Sequence, residues 1–81
     1  MMEKPYEITQ LQLEQIQQKL KEHKHTLESE IPQMLAEALG LGDAANNAEY
    51  EFAMGVKSRC EAQIAELEQI LGNYVLVSDE A

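Results

Sequence analysis

The sequence predicts an all-α fold: an antiparallel two-helix coiled-coil hairpin, a long α-hairpin with its polar groups gathered in a tip loop. Apolar residues recur at intervals of three and four on both sides of one central break, so each side lines a single stripe of a helix. The break, "LGLGDAANNAEYEFA" from Leu39 to Ala53, holds glycines, an aspartate and two adjacent asparagines, the residue types that end one helix and begin the next. Two amphipathic helices joined by so short a link must fold back on each other to remove their stripes from water.

Residues 1–8 form a lead-in in which Tyr6, beside Pro5, is placed to cover the open end of the hairpin. The hairpin occupies 9–74. Its first helix, about 9–39, starts with Thr9 as cap and Gln12 in capping-box position, and Ile8 and Leu13 are spaced for a hydrophobic staple. The stripe runs through Leu13, Ile16, Leu20, Leu27, Ile31 and Met34 or Leu35. Pro32 lacks an N–H and its ring crowds the carbonyl four residues back, which predicts a kink or local loosening. It does not end the helix, because the stripe keeps phase from Leu27 and Ile31 into Leu35 and Ala38. Gly40 supplies the stop, and residues 40–46 form the tip.

The second helix, about 46–74, is expected to be capped by Asn46 with Glu49 three residues on. Its seam reads Ala53, Val56, Cys60, Gln63 or Ile64, Leu67, Ile70 and Tyr74. At 1.5 Å per residue the arm from Gln10 to Leu39 would be about 45 Å long. "YVLV" at the end of the second helix is the one candidate strand, and 75–81 reads as a short acidic tail.

Bulk properties narrow the function. A chain of 81 residues buries too small a share of its surface to be robust without help, and a partner could supply it. Six basic against fifteen acidic residues give a net charge of −9, which repels phosphate backbones and argues against free nucleic-acid binding through a general basic surface. The single cysteine, Cys60, excludes an internal disulfide framework. With no secretory signal pattern and no membrane-length apolar run, the expected compartment is the cytoplasm and no membrane partner is expected. No Ser-His, Cys-His or multi-ligand metal arrangement is present, so independent catalysis is not expected. His23 and His25, two apart on a helix, point about 200° away from each other and cannot share one ion. Cys60 falls on the seam and reads as a small buried hydrophobe.

The tip residues carry a resemblance. Gly42, Asp43, Asn47, Ala48, Glu49 and Tyr50 stand in register with the motif G-D-x-x-E-N-A-E-Y. "AEA" at Ala36 to Ala38, "CE" at Cys60 and Glu61, and Ile64, Leu67, Glu68, Leu71 and Asn73 extend the match. Over about residues 5–78 the chain resembles the N-terminal coiled-coil domain of the Gre-type bacterial transcription elongation and transcript cleavage factors. The resemblance also implies a C-terminal globular domain that these 81 residues do not include, so the expectation is either a fragment of a longer protein or a stand-alone hairpin. The resemblance implies a rod that enters the secondary channel of RNA polymerase, where acidic tip residues help the polymerase's own active site hold a second Mg²⁺ and activate water for RNA cleavage. Magnesium suits this chemistry, since it takes oxygen ligands and keeps several waters, so one or two carboxylates suffice.

Under that resemblance Asp43 is the catalytic and metal-ligating candidate, and Gly42, Asp43, Asn46, Asn47, Glu49 and Tyr50 are the partner-binding set. The isolated chain binds no cofactor of its own, and nucleic acid is met only through the polymerase. Three departures shape the expectation. Asn46 stands where the family has a second carboxylate, Leu39 and Gly40 replace an Arg-Glu pair, and Met54 and Gly55 leave only Lys57 and Arg59 as cations behind the tip. The expected function is therefore modulation of elongation or transcript cleavage, with weak or no cleavage stimulation. The alternative is a structural hairpin that self-associates or docks on another protein through spare apolar positions such as Leu11, Leu41 and Phe52.

Overall fold

The computed structural model describes residues 3–78, so Met1 and Met2 of the lead-in and 79–81 of the acidic tail lie outside it. The element order is strand β1 (Tyr6–Ile8), helix α1 (Gln10–His25), a π-helical turn (Thr26–Glu30), helix α2 (Ile31–Leu39), a 3₁₀ turn (Ala44–Asn46), helix α3 (Ala48–Leu71) and strand β2 (Tyr74–Leu76). The molecule measures 54 × 28 × 19 Å. α1, the π turn and α2 form one arm and α3 the other. Cross-arm bonds join Ala38 to Asn47 near the tip, His23 to Cys60 midway and Tyr6 to Asn73 at the base, so the arms run in opposite directions.

α1 begins on a full capping box: the Thr9 hydroxyl accepts from the Gln12 N–H at 3.1 Å, and the Gln12 side chain accepts from the Thr9 N–H at 2.8 Å. Ile8 and Leu13, the staple pair, are both buried. Pro32 is accommodated without breaking the arm. In an α-helix its missing N–H would have faced the Glu28 carbonyl, and its ring would have struck that oxygen. Here the turn before it widens to π geometry, with the Ile31 N–H bonded to the Thr26 carbonyl five residues back. The apolar stripe thereby passes Pro32 and continues through Ile31 to Ala38, both buried.

The core is one thin seam. Ile31, Cys60 and Ile64 form its buried centre, with Leu20, Leu27, Met34, Leu35 and Val56 half-buried around it. Of the two seam candidates at 63 and 64, Ile64 is buried and Gln63 is exposed. The Cys60 thiol donates to the His23 carbonyl at 3.1 Å, which spends it on joining the arms. Lys24 and Glu68 pair across the arms at 3.2 Å, but both are about half exposed, so the pair adds little stability.

A two-stranded parallel sheet closes the base, in the register Tyr6↔Tyr74, Glu7↔Val75 and Ile8↔Leu76. β2 falls within the "YVLV" segment, whereas β1 lies in the lead-in, where alternation over three residues is too short to register as a strand. Tyr6 is held by this pairing and stays 39% exposed, so it does not seal the hairpin's open end. Two strands are marginal alone; Ile8, buried beneath β1, ties them to the helices. Among the described residues no helix is long and apolar enough to cross a membrane.

Candidate functional site

The tip is organised by one side chain. Asn47 has extended backbone (φ −126°, ψ 103°) and caps α3, its side-chain oxygen accepting from the Tyr50 N–H at 3.0 Å. Its amide nitrogen donates to the Ala38 carbonyl at the end of α2 and to the Gly42 carbonyl in the turn, the latter at 3.2 Å. A single buried amide thus joins the end of one arm, the loop and the start of the other. This corrects the expected cap: Asn46 is not the N-cap but the last residue of the 3₁₀ turn, exposed, its N–H reaching the Asp43 carbonyl at 3.4 Å. Glu49 forms no capping box, because the residue three beyond the true cap is Tyr50.

α2 ends at Leu39 with ordinary right-handed backbone at Gly40, whose N–H returns to the Ala36 and Glu37 carbonyls. Leu41 and Gly42 make the stop: the Leu41 N–H bonds the Ala38 carbonyl three residues back, and the chain then bends at Gly42. Gly42 needs neither positive φ nor space, since a Cβ there would meet nothing within 4 Å. The backbone does not demand glycine at this position.

Asp43 precedes the 3₁₀ turn with extended backbone, yet its side chain makes no capping bond. The carboxylate is exposed and makes no hydrogen bond or ion pair with the described residues. It is a free anionic group at the end of the rod. Among the described residues no cluster of three or more His, Cys, Asp and Glu is placed to hold a metal ion.

The structure brings Gly42, Asn47 and the Tyr50 backbone together through hydrogen bonds and leaves the Asn46 and Glu49 side chains exposed. Tyr50 is half-buried. Beside the loop a groove of about 420 Å³ has Ala38 and Ala53 in its floor, Met34, Leu41 and Phe52 along its sides, and the carboxylate-bearing Glu37 and Glu49 in its lining. Leu41 and Phe52 read in the sequence as spare apolar positions; their meeting across the arms depends on where the helix reversal falls.

Residues 6–76 match the family model described as transcription elongation factor, N-terminal (GreA and GreB). The chain is 37% identical over 76 residues to the transcription elongation factor GreA of Thermotoga neapolitana, covering 94% of this chain and 49% of that protein. It is 38% identical over 74 residues to that of Acholeplasma laidlawii, covering 91% and 47%. With that of Lachnoclostridium phytofermentans it shares 37% over 81 residues, covering 99% and 51%. The chain thus spans about half the length of the curated relatives it matches. No solved structure matches it. A two-arm helical hairpin with the Gly42-Asp43 and Asn47-Ala48-Glu49-Tyr50 tip, matched over 6–76, belongs to the N-terminal domain family of the GreA and GreB transcription elongation factors.

Proposed function

We propose that this chain is a Gre-type elongation module that enters the secondary channel of bacterial RNA polymerase tip first, in the cytoplasm, and modulates elongation while stimulating transcript cleavage weakly or not at all. The observation that carries the reading is Asp43: an exposed carboxylate with no partner among the described residues, held at the end of a 54 Å rod by a tip that Asn47 fixes. A slender rod suits a narrow channel, and a fixed tip presents its charge without losing conformational freedom on arrival.

Magnesium bound at the polymerase centre would polarise the scissile phosphate and lower the pKa of water. Asp43 would lend that site one oxygen. Asn46, exposed three residues further on, brings an amide and no charge where the family has its second carboxylate, so the module enters the channel with half the expected ligand charge. The chain is not itself a catalyst in this reading; the chemistry belongs to the polymerase.

A backtracked, stalled RNA polymerase supplied with the chain, with Asp43→Ala and with Asn46→Asp tests this. The wild-type chain is expected to slow elongation and to cleave feebly, Asp43→Ala to lose the residual cleavage, and Asn46→Asp to raise cleavage by on the order of tenfold. Vigorous cleavage unaffected by Asp43→Ala would contradict the proposal, as would no effect on elongation at saturating concentration.

A further inference from the structure

We propose that the groove beside the tip is a docking site for a basic protein segment that presents a large apolar side chain between Lys or Arg residues, an inference that holds whether or not the partner is RNA polymerase. Leu41 and Phe52 are 74% and 63% exposed, the two most exposed large apolar side chains among the described residues, and they line the same groove, Leu41 from the tip turn and Phe52 from α3. The fold does not use them, since the seam is closed beneath by Ala38 and Ala53, 3% and 1% exposed.

Charge identifies the occupant. Between His25 and Val56 the sequence has Glu28, Glu30, Glu37, Asp43, Glu49 and Glu51 and neither Lys nor Arg; the nearest cations on α3 are Lys57 and Arg59, the Arg59 guanidinium lying beside Gly55, and neither lines the groove. Glu37 and Glu49 contribute to the groove lining itself. A second copy docked groove to groove would oppose like charges across a two-fold axis. Nucleic acid and anionic lipid would be repelled for the same reason. A cationic amphipathic helix or turn satisfies both the apolar sides and the acidic lining.

The test is titration of the ¹⁵N-labelled chain with a synthetic amphipathic Leu/Lys peptide, beside Ser/Lys and Leu/Glu peptides of the same pattern. The Leu/Lys peptide is expected to shift the amides of Met34, Leu41 and Phe52 and spare the base, with affinity falling about tenfold in Phe52→Ser and severalfold in Glu37→Gln/Glu49→Gln. Because Phe52 is exposed, Phe52→Ser should retain the wild-type circular dichroism, which separates lost binding from lost fold. Equal binding of the Ser/Lys peptide would overturn the proposal in favour of diffuse charge attraction. A concentration-dependent dimer abolished by Phe52→Ser would overturn it in favour of a second copy, and no response to the Leu/Lys peptide would overturn it outright.

Discussion

Asn47→Ala is expected to cost about 2–4 kcal/mol of stability, combining a lost helix cap of about 1 kcal/mol with two lost side-chain bonds of similar worth. The Ala38 carbonyl, which receives the Asn47 amide in a buried position, would be left to find water or remain unsatisfied. Against the roughly 4–12 kcal/mol available to a domain of this size, the loss lowers the melting temperature by about 10–25 °C. Asn46→Ala is the internal control. Its side chain is exposed and makes no hydrogen bond with the described residues, so its cost should stay within about 0.5 kcal/mol. Thermal and urea unfolding of the two variants decide the matter, and equal costs would refute the assignment of the cap to Asn47. Activity should track stability: with the reversal loosened, Asp43 is still present but no longer held at a fixed point.

Ile31→Ala is expected to destabilise by about 2–5 kcal/mol, the range for truncating a fully buried aliphatic side chain whose surroundings relax only in part. Ile31 is 1% exposed, the largest side chain so deeply buried among the described residues, and it sits where the first arm meets Cys60 and Ile64. A globular core could close over the missing atoms from several directions. This core is one seam deep, so the neighbours packed against it, Leu27 and Met34, are themselves only partly buried and cannot move inward without opening the edge. Urea unfolding should show the midpoint fall by a large share of its wild-type value. A loss below about 1 kcal/mol would mean that the seam is not what holds the arms together.

The plan of two helical arms was legible because it rests on periodicity, which extends over many residues and survives local exceptions. The Thr9 capping box and the buried ends of the stripe at Leu13 and Ala38 agree with the pattern of the sequence. Pro32 was legible as a disturbance. Its outcome, a π-helical turn at Thr26–Glu30, results from the competition between one missing hydrogen bond and the gain of keeping Ile31 in the seam. The cap was misread because Asn46 and Asn47 have the same propensity. The two are separated by the 3₁₀ turn that starts after Asp43 and places only Asn47 within reach of Ala38. β1 was missed because its partner, β2, lies at the far end of the chain and pairs with it only once the hairpin has closed. At the site, Asp43 stood out in the sequence by its position after Gly42; that its side chain would decline a capping role could be seen only in the folded turn.

The central claim is that the tip reaches the polymerase's active centre. Cys60 is 4% exposed, with its thiol donated to the His23 carbonyl, so a cysteine placed at position 43 by Asp43→Cys can be labelled selectively with an iron chelate. Hydroxyl radicals generated there in a complex with RNA polymerase should cut the catalytic subunits beside the metal-binding carboxylates at the inner end of the channel. Cuts confined to the outer surface of the enzyme, or none, would contradict the account.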